Sequence, residues 1–272
     1  MLALISEGQR RSPGETRQQL LDLGVLLVSA PEVDRTAGSD ACDVVFAVKQ
    51  SGDLTRSEDC AFCPGLRFRL NRIENLPGAT GVLWGDRDFF VIPDLAPLDD
   101  GHLLIVTVDH NLAMGACPED VLTRLEGNLQ RVSRLFRLLY GREALFFEHG
   151  PTSPGEAGSC IDHAHMHCLP AKAGLVQALR HQGLAVEPTS LADLNMVHKA
   201  RKPYLFVQEA GERTYCVAQK PPNQMMRRLY NSALGRDTWR WQDLYMQTDS
   251  RERFMETLNR LLPAVDEILA KR

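Results

Sequence analysis

Three histidines recur at every second position, His163, His165 and His167, in the segment IDHAHMHCLP over residues 161–170. Two is the period of a β-strand: side chains i and i+2 share one face, about 6.6–6.8 Å apart. The residues between them, Ala164 and Met166, are apolar. The pattern therefore predicts one strand over 161–170 that carries a row of three imidazoles. Imidazole is the side chain whose protonation changes near neutral pH, so such a row suits nucleophilic attack, proton transfer or metal ligation.

The surrounding sequence predicts the frame that holds this strand. Segments 80–84, 88–93 and 102–108 read as strands, as do 24–30, 43–49, 67–74 and 144–150. Residues 118–139 read as a long helix: Pro118, Glu119 and Asp120 suit its start and Gly141 its end. Its apolar stripe is Leu122, Leu125, Leu129, Val132, Leu135 and Phe136. A short helix over 12–23 follows from Ser12, Pro13 and Glu15. The loop 31–40 and the polar stretch 51–59 precede the main domain. Strands, then a helix, then strands imply an α+β fold around an antiparallel sheet. The expected division is an N-terminal extension over 1–57, a catalytic domain over 58–171 and a C-terminal extension over 172–272.

GSCIDHAHMHCLP resembles the signature of the histidine triad (HIT) superfamily of nucleotide hydrolases and transferases. FFEHGP (146–151) and FFVIPDLAPLDDGHLLIVTVDH (89–110) are similar to the segments that precede that signature. The resemblance spans roughly 58–171 and implies a HIT-like sheet with one long helix. It assigns the nucleophile to the middle histidine, His165, which would carry a nucleotidyl intermediate, and phosphate contact to His167. It assigns ribose contact to Asp94 and support of the triad to His102. The family commonly has a hydroxyl residue three positions before the first histidine; here Cys160 stands there, beside Ser159. A thiol donates more weakly. Glu148 occupies a position often held by an amide, where a carboxylate near phosphate would repel it unless protonated or paired.

Cys60 and Cys63 form a CxxC pair with metal-ligand spacing. In the zinc-bearing branch of the family, the other two ligands correspond here to His110 and His163. Four protein ligands leave no open position, so the zinc implied is structural. A redox CxxC is the competing reading, and it lacks the βαβ context. The seven cysteines are read as reduced thiols of a cytoplasmic protein.

Residues 203–218 predict a hairpin turning at Ala210–Gly211. After Pro221 and Pro222, the residues Gln224, Arg227 and Arg228 fall at helical spacing and offer cations to phosphate, or form a solvated face. Trp239 and Trp241 either pack the extension on the core or stack on a base. A final amphipathic helix is expected near 250–271.

The formal net charge of −4 argues against nucleic acid as a partner, and no apolar run is long enough to cross a membrane. The leading expectation is hydrolysis of a phosphoanhydride or phosphoramidate bond on a nucleotide. Nucleotidyl transfer or phosphorolysis is the alternative, and a nucleotide-binding protein with faded catalysis is the third reading. A homodimer is implied by the family, unless the C-terminal extension covers that surface.

Overall fold

A computed structural model describes residues 27–28, 45–46, 60–63, 82–159, 161–171, 173–245 and 247–270. The expectations for residues 12–23, 31–40, 51–59 and 67–74 lie outside them. Strands β1 (Leu27–Val28) and β2 (Val45–Phe46) pair antiparallel, within the two segments expected to be strands.

The main sheet begins with β3 (Trp84–Gly85), β4 (Phe89–Pro93) and β5 (Leu103–Thr107). Helix α1 (Glu119–Tyr140) follows, then β6 (Leu145–Gly150) and β7 (His165–Leu169). Beyond them come α2 (Leu175–His181), β8 (Glu187–Pro188), α3 (Leu191–Lys199), β9 (Tyr204–Glu209) and β10 (Glu212–Val217). The chain closes with α4 (Met225–Ala233), α5 (Trp241–Leu244) and α6 (Thr248–Ala270). The order in the sheet is β3-β4-β5-β7-β6-β9-β10-β8, antiparallel throughout. This is the expected α+β architecture. Strands contributed by residues 187–217 extend the same sheet, because β9 pairs directly with β6.

The long helix forms where its stripe predicts it. Leu122, Leu125, Leu129, Val132, Leu135 and Phe136 are buried, and Gly141 ends the helix in the left-handed conformation (φ 62°) that glycine adopts without a Cβ penalty. The stripe packs on Phe89, Val91, Leu103, Ile105, Phe146, Met166 and Cys168, which alternate along four strands. Phe254, Leu258 and Leu261 of α6 join this core. Burying each such side chain stabilises the fold by about 1.5–3 kcal/mol before entropy is counted.

The opposite face splits into two clusters. At one end Phe90, Ile92, Leu104 and Val106 pack with Phe62. At the other, Leu145, Phe147, Leu169, Leu205 and Val207 pack with Met226, Leu229 and Tyr230 of α4. β7 lies between β5 and β6, so His165 and His167 emerge where the two clusters meet.

One boundary differs from expectation. The strand predicted over 161–170 is ordered as a strand only from His165 to Leu169. Upstream, the N–H of Ala164 donates to the Asn111 carbonyl at 2.6 Å, away from the ladder, and residues 161–163 bend. His163 is therefore not the first member of a three-histidine strand. Its ring turns towards the cysteines.

Candidate functional site

The three histidines take three different hydrogen-bond roles, each fixed by what the backbone offers. His165 Nδ1 lies 2.6 Å from the carbonyl of His163. A carbonyl only accepts, so Nδ1 carries the proton and Nε2 is left with a bare lone pair. Burial pushes the His165 pKa down, which keeps the ring neutral. The His165 ring borders a cavity of about 1270 Å³ that also meets Ile92, Asp94, Leu104, His167 and Trp241.

His167 has the opposite tautomer. The backbone N–H of Leu98 donates to His102 Nδ1 at 3.0 Å, so the proton of His102 sits on Nε2. That Nε2 lies 3.0 Å from His167 Nδ1 and donates to it. His167 is then left with an N–H on Nε2. Phe147, directly opposite on β6, stacks on the ring at 4.5 Å and 19° and holds its plane. Burial lowers the pKa of His167 well below normal, and that of His102 to about 4. Asp94 Oδ2 lies 3.4 Å from His102 Nδ1 and 3.8 Å from His167 Nδ1. Neither contact is an ion pair, because both nitrogens already accept hydrogen bonds in neutral rings.

His163 faces the other way. Its Nε2 donates to the Thr107 carbonyl at 2.8 Å, which frees Nδ1. Nδ1 lies 3.5 Å from Cys60 Sγ and 3.7 Å from Cys63 Sγ, and His110 Nδ1 lies 3.2 Å from Cys63 Sγ. Cys60, Cys63, His110 and His163 thus gather four ligand atoms within 4.8 Å of one another. A tetrahedral zinc with two thiolates and two imidazoles has S–N edges of about 3.6 Å, so the donor set fits that ion. The CAFC segment is a tight turn, with Cys63 N–H donating to the Cys60 carbonyl at 3.1 Å. The neighbouring Cys63 thiol, and after it His163, hold the Cys60 thiol down at about 3 against the effect of burial. Phe62, between the two cysteines, meets His163 edge-on at 5.8 Å and His165 at 5.3 Å, so the CAFC turn also walls the central imidazole.

The remaining sequence candidates separate clearly. Asp94 reaches the cavity, but its carboxylate is already engaged: Oδ1 accepts from Ala96 N–H at 2.9 Å and Oδ2 from Arg227 at 3.0 Å. The coulombic pull of His102 and Arg227 holds its pKa below normal despite the cost of burial. Arg227, expected to face phosphate or solvent, is 2% exposed. It also donates to the Ala96 carbonyl at 2.6 Å and the Trp239 carbonyl at 3.0 Å. The guanidinium is therefore a tie between α4 and the loop that follows β4. Gln224 is a second tie: it donates to Gln242 at 2.9 Å and accepts from Trp241 N–H at 2.7 Å. Arg228 does not border the cavity. Ser159 spends its hydroxyl on the Ile161 carbonyl at 2.7 Å, and Cys160 lies outside the described residues.

Glu148 is on the wrong face for substrate. Alternation along β6 sends Phe147 and His149 to the imidazole side and Phe146 and Glu148 to the helix side. The Glu148 carboxylate accepts from Met114 N–H at 2.6 Å and Tyr204 O–H at 2.9 Å, fully buried. Burial pushes its pKa up to about 8. Tyr204 fits there because Gly150 has no Cβ; one would meet the phenol ring at 2.2 Å. His149, two residues from Phe147, is the β6 histidine that the strand alternation directs to the imidazole face. It is buried on the imidazole face, its Nε2 accepts from Met226 N–H at 3.4 Å, and burial lowers its pKa to about 3. Counting two residues back from His149 to Phe147 was the available signal.

Residues 50–182 match the family model described as "Protein similar to CwfJ C-terminal". A search of curated proteins found no match. Among solved structures, the chain is similar to a HIT-like protein from Bartonella henselae at 14% identity and TM-score 0.34, covering 53% of this chain and 98% of that one. It is similar to a histidine triad nucleotide-binding protein from Sulfolobus tokodaii at 27% identity and TM-score 0.33, covering 41% and 68%. It is also similar to yeast Ap4A phosphorylase Apa2, solved with Ap4A, at 14% identity and TM-score 0.38, covering 68% and 77%. The family model that residues 50–182 match is a HIT-like one, and the alternating imidazoles lie within the matched segment.

Proposed function

We propose that the protein hydrolyses a phosphoanhydride or phosphoramidate bond at the nucleoside-linked phosphorus of a nucleotide, with His165 as nucleophile. One observation carries this reading: the 2.6 Å bond from His165 Nδ1–H to the His163 carbonyl, which leaves Nε2 unprotonated in a ring that borders the cavity. The Nε2 lone pair forms a bond to phosphorus while the bond from phosphorus to the leaving oxygen or nitrogen breaks. The leaving group departs with its electron pair and takes up a proton. Water then attacks the nucleotidyl-histidine, loses a proton and releases the nucleotide, which restores the neutral ring. The Nε2–H of His167 donates to the non-bridging oxygens as charge builds on them. Asp94 accepts from ribose hydroxyls with the lone pairs that Arg227 and Ala96 leave open.

The Cys60, Cys63, His110 and His163 set would hold a zinc ion as a cross-link. It would fix the turn that carries Phe62 against His165 and keep the His163 carbonyl in place. Incubation with labelled dinucleoside polyphosphates and adenylyl amines, followed by quenching and peptide mapping, tests the reading. Label on the peptide containing His165, lost in His165→Asn, is the expected result. Turnover without any adduct, or an adduct that persists in His165→Asn, would overturn it. Transfer to phosphate in place of water is the second reading, and product formation that requires added phosphate would favour it.

A further inference from the structure

Arg227 spans from Asp94 to the Trp239 carbonyl, and Gln224 holds the N–H of Trp241. Both ties come from the start of α4, whose Met226 N–H also reaches His149 beside the imidazoles. The short helix α5 is thereby fixed at the Asp94 side of the cavity. Trp241 and Tyr245 both border that cavity, and their rings meet edge-on at 5.6 Å and 72°. The indole Nε1–H of Trp241 is buried and has no hydrogen-bond partner. A buried donor left unpaired is costly, and an acceptor brought by a ligand would offset that cost. Ile92 and Leu104 supply apolar lining to the same cavity. A flat apolar surface with one edge donor, on the side where Asp94 sits, suits a planar heterocycle bearing ring acceptors.

We propose that Trp241 is a specificity-determining residue: the C-terminal extension supplies it as the wall against which the nucleotide base lies. This inference rests on the nucleotide reading above, with Asp94 at the ribose. It assigns to the extension part of the substrate site itself, beyond its packing role.

Calorimetric titration of the full chain with the four ribonucleoside monophosphates and with ribose 5-phosphate tests it. Ribose 5-phosphate keeps the sugar and phosphate contacts and lacks the base. Trp241→Ala is expected to weaken the best-bound nucleotide about tenfold, within the range for loss of a base–aromatic stack, and to leave ribose 5-phosphate binding unchanged. Trp241→Phe keeps a ring and loses the N–H. It is expected to weaken the nucleotide about threefold, and it stands in if the alanine variant fails to fold. Equal weakening of both ligands in a folded variant, or no weakening, overturns the inference. So does wild-type binding of ribose 5-phosphate as tight as that of nucleotides, while the nucleotide reading survives that result. Absence of binding by any of the five ligands to the wild type removes the nucleotide reading and the inference together.

Discussion

His102 Nε2 lies 3.0 Å from His167 Nδ1, and neither residue is more than 4% exposed. The contact decides which nitrogen of His167 carries its proton, because His102 must donate once Leu98 N–H has taken its Nδ1. Replacing His102 with phenylalanine fills the space and removes the donor. The expected result is a kcat lower by about 10–100-fold with KM little changed, since the lost interaction orients a group that acts on transition-state charge. His167→Ala is expected to cost about 10²–10³-fold in kcat. Steady-state kinetics on both variants check this, and a rise in KM alone for His102→Phe would contradict it.

The cluster of Cys60, Cys63, His110 and His163 gives a prediction with a readout independent of activity. Purified protein is expected to carry about one zinc per chain, and Cys60→Ser or Cys63→Ser to lose it. Thermal unfolding should shift down by roughly 5–15 °C in those variants and in chelator-treated wild type. Elemental analysis and calorimetry measure both. Full metal content in Cys60→Ser would exclude this ligand set.

Arg227 and Asp94 form a buried pair whose loss is asymmetric. Arg227→Met leaves the Asp94 charge buried without its guanidinium and frees the Trp239 carbonyl from its tie. Urea unfolding is expected to show a loss on the order of 3–5 kcal/mol. Adding Asp94→Asn to Arg227→Met should recover part of that loss, because the uncompensated charge is removed. Additive destabilisation would show that the two groups do not interact.

Glu148 predicts a pH dependence of stability. Burial pushes its carboxyl up to about 8 in the fold, against an ordinary carboxylate value when unfolded. A raised acid favours the folded state at low pH, and that contribution is lost as pH climbs from the unfolded value through the folded one. Glu148→Gln should therefore match the wild type near pH 5 and exceed it near pH 9, on the order of 2–4 kcal/mol. A constant difference across that range would show that Glu148 stays ionised in the fold.

Much of the site is written in the sequence because period two is a local property. His165 and His167, the helix stripe and the hairpin at Ala210–Gly211 are each set by short-range spacing, and the structure places them as that spacing predicts. Both turn residues of that hairpin have positive φ, 53° and 84°. The bend that takes His163 off the strand depends on a carbonyl at Asn111, distant in sequence, and leaves no local trace. Glu148 holds a motif position that implies a substrate contact, whereas the alternation of its own strand turns it to Met114 and Tyr204 on the helix side. Arg227 reads in the sequence as a cation for phosphate or as part of a solvated face, because its partners Asp94 and Ala96 lie more than a hundred residues upstream.

The pairing of β6 with β9 bears on assembly. Phe146 to Gly150 are opposite Gln208 to Tyr204, so the flank of β6 away from β7 is filled by the chain itself. A second copy cannot add to the sheet there, and sedimentation should report a monomer of 30.4 kDa. A concentration-dependent dimer would contradict this.

That same pairing sets where the gene can be cut. A fragment ending near residue 171 keeps His163, His165 and His167 together with Cys60, Cys63 and His110, yet it strips the backbone partners from five consecutive residues of β6 and uncovers Leu145, Phe147 and Leu169. Such a piece would present a raw, sticky strand to its neighbours. Expression trials should therefore keep the tail, even when only the phosphorus chemistry is of interest.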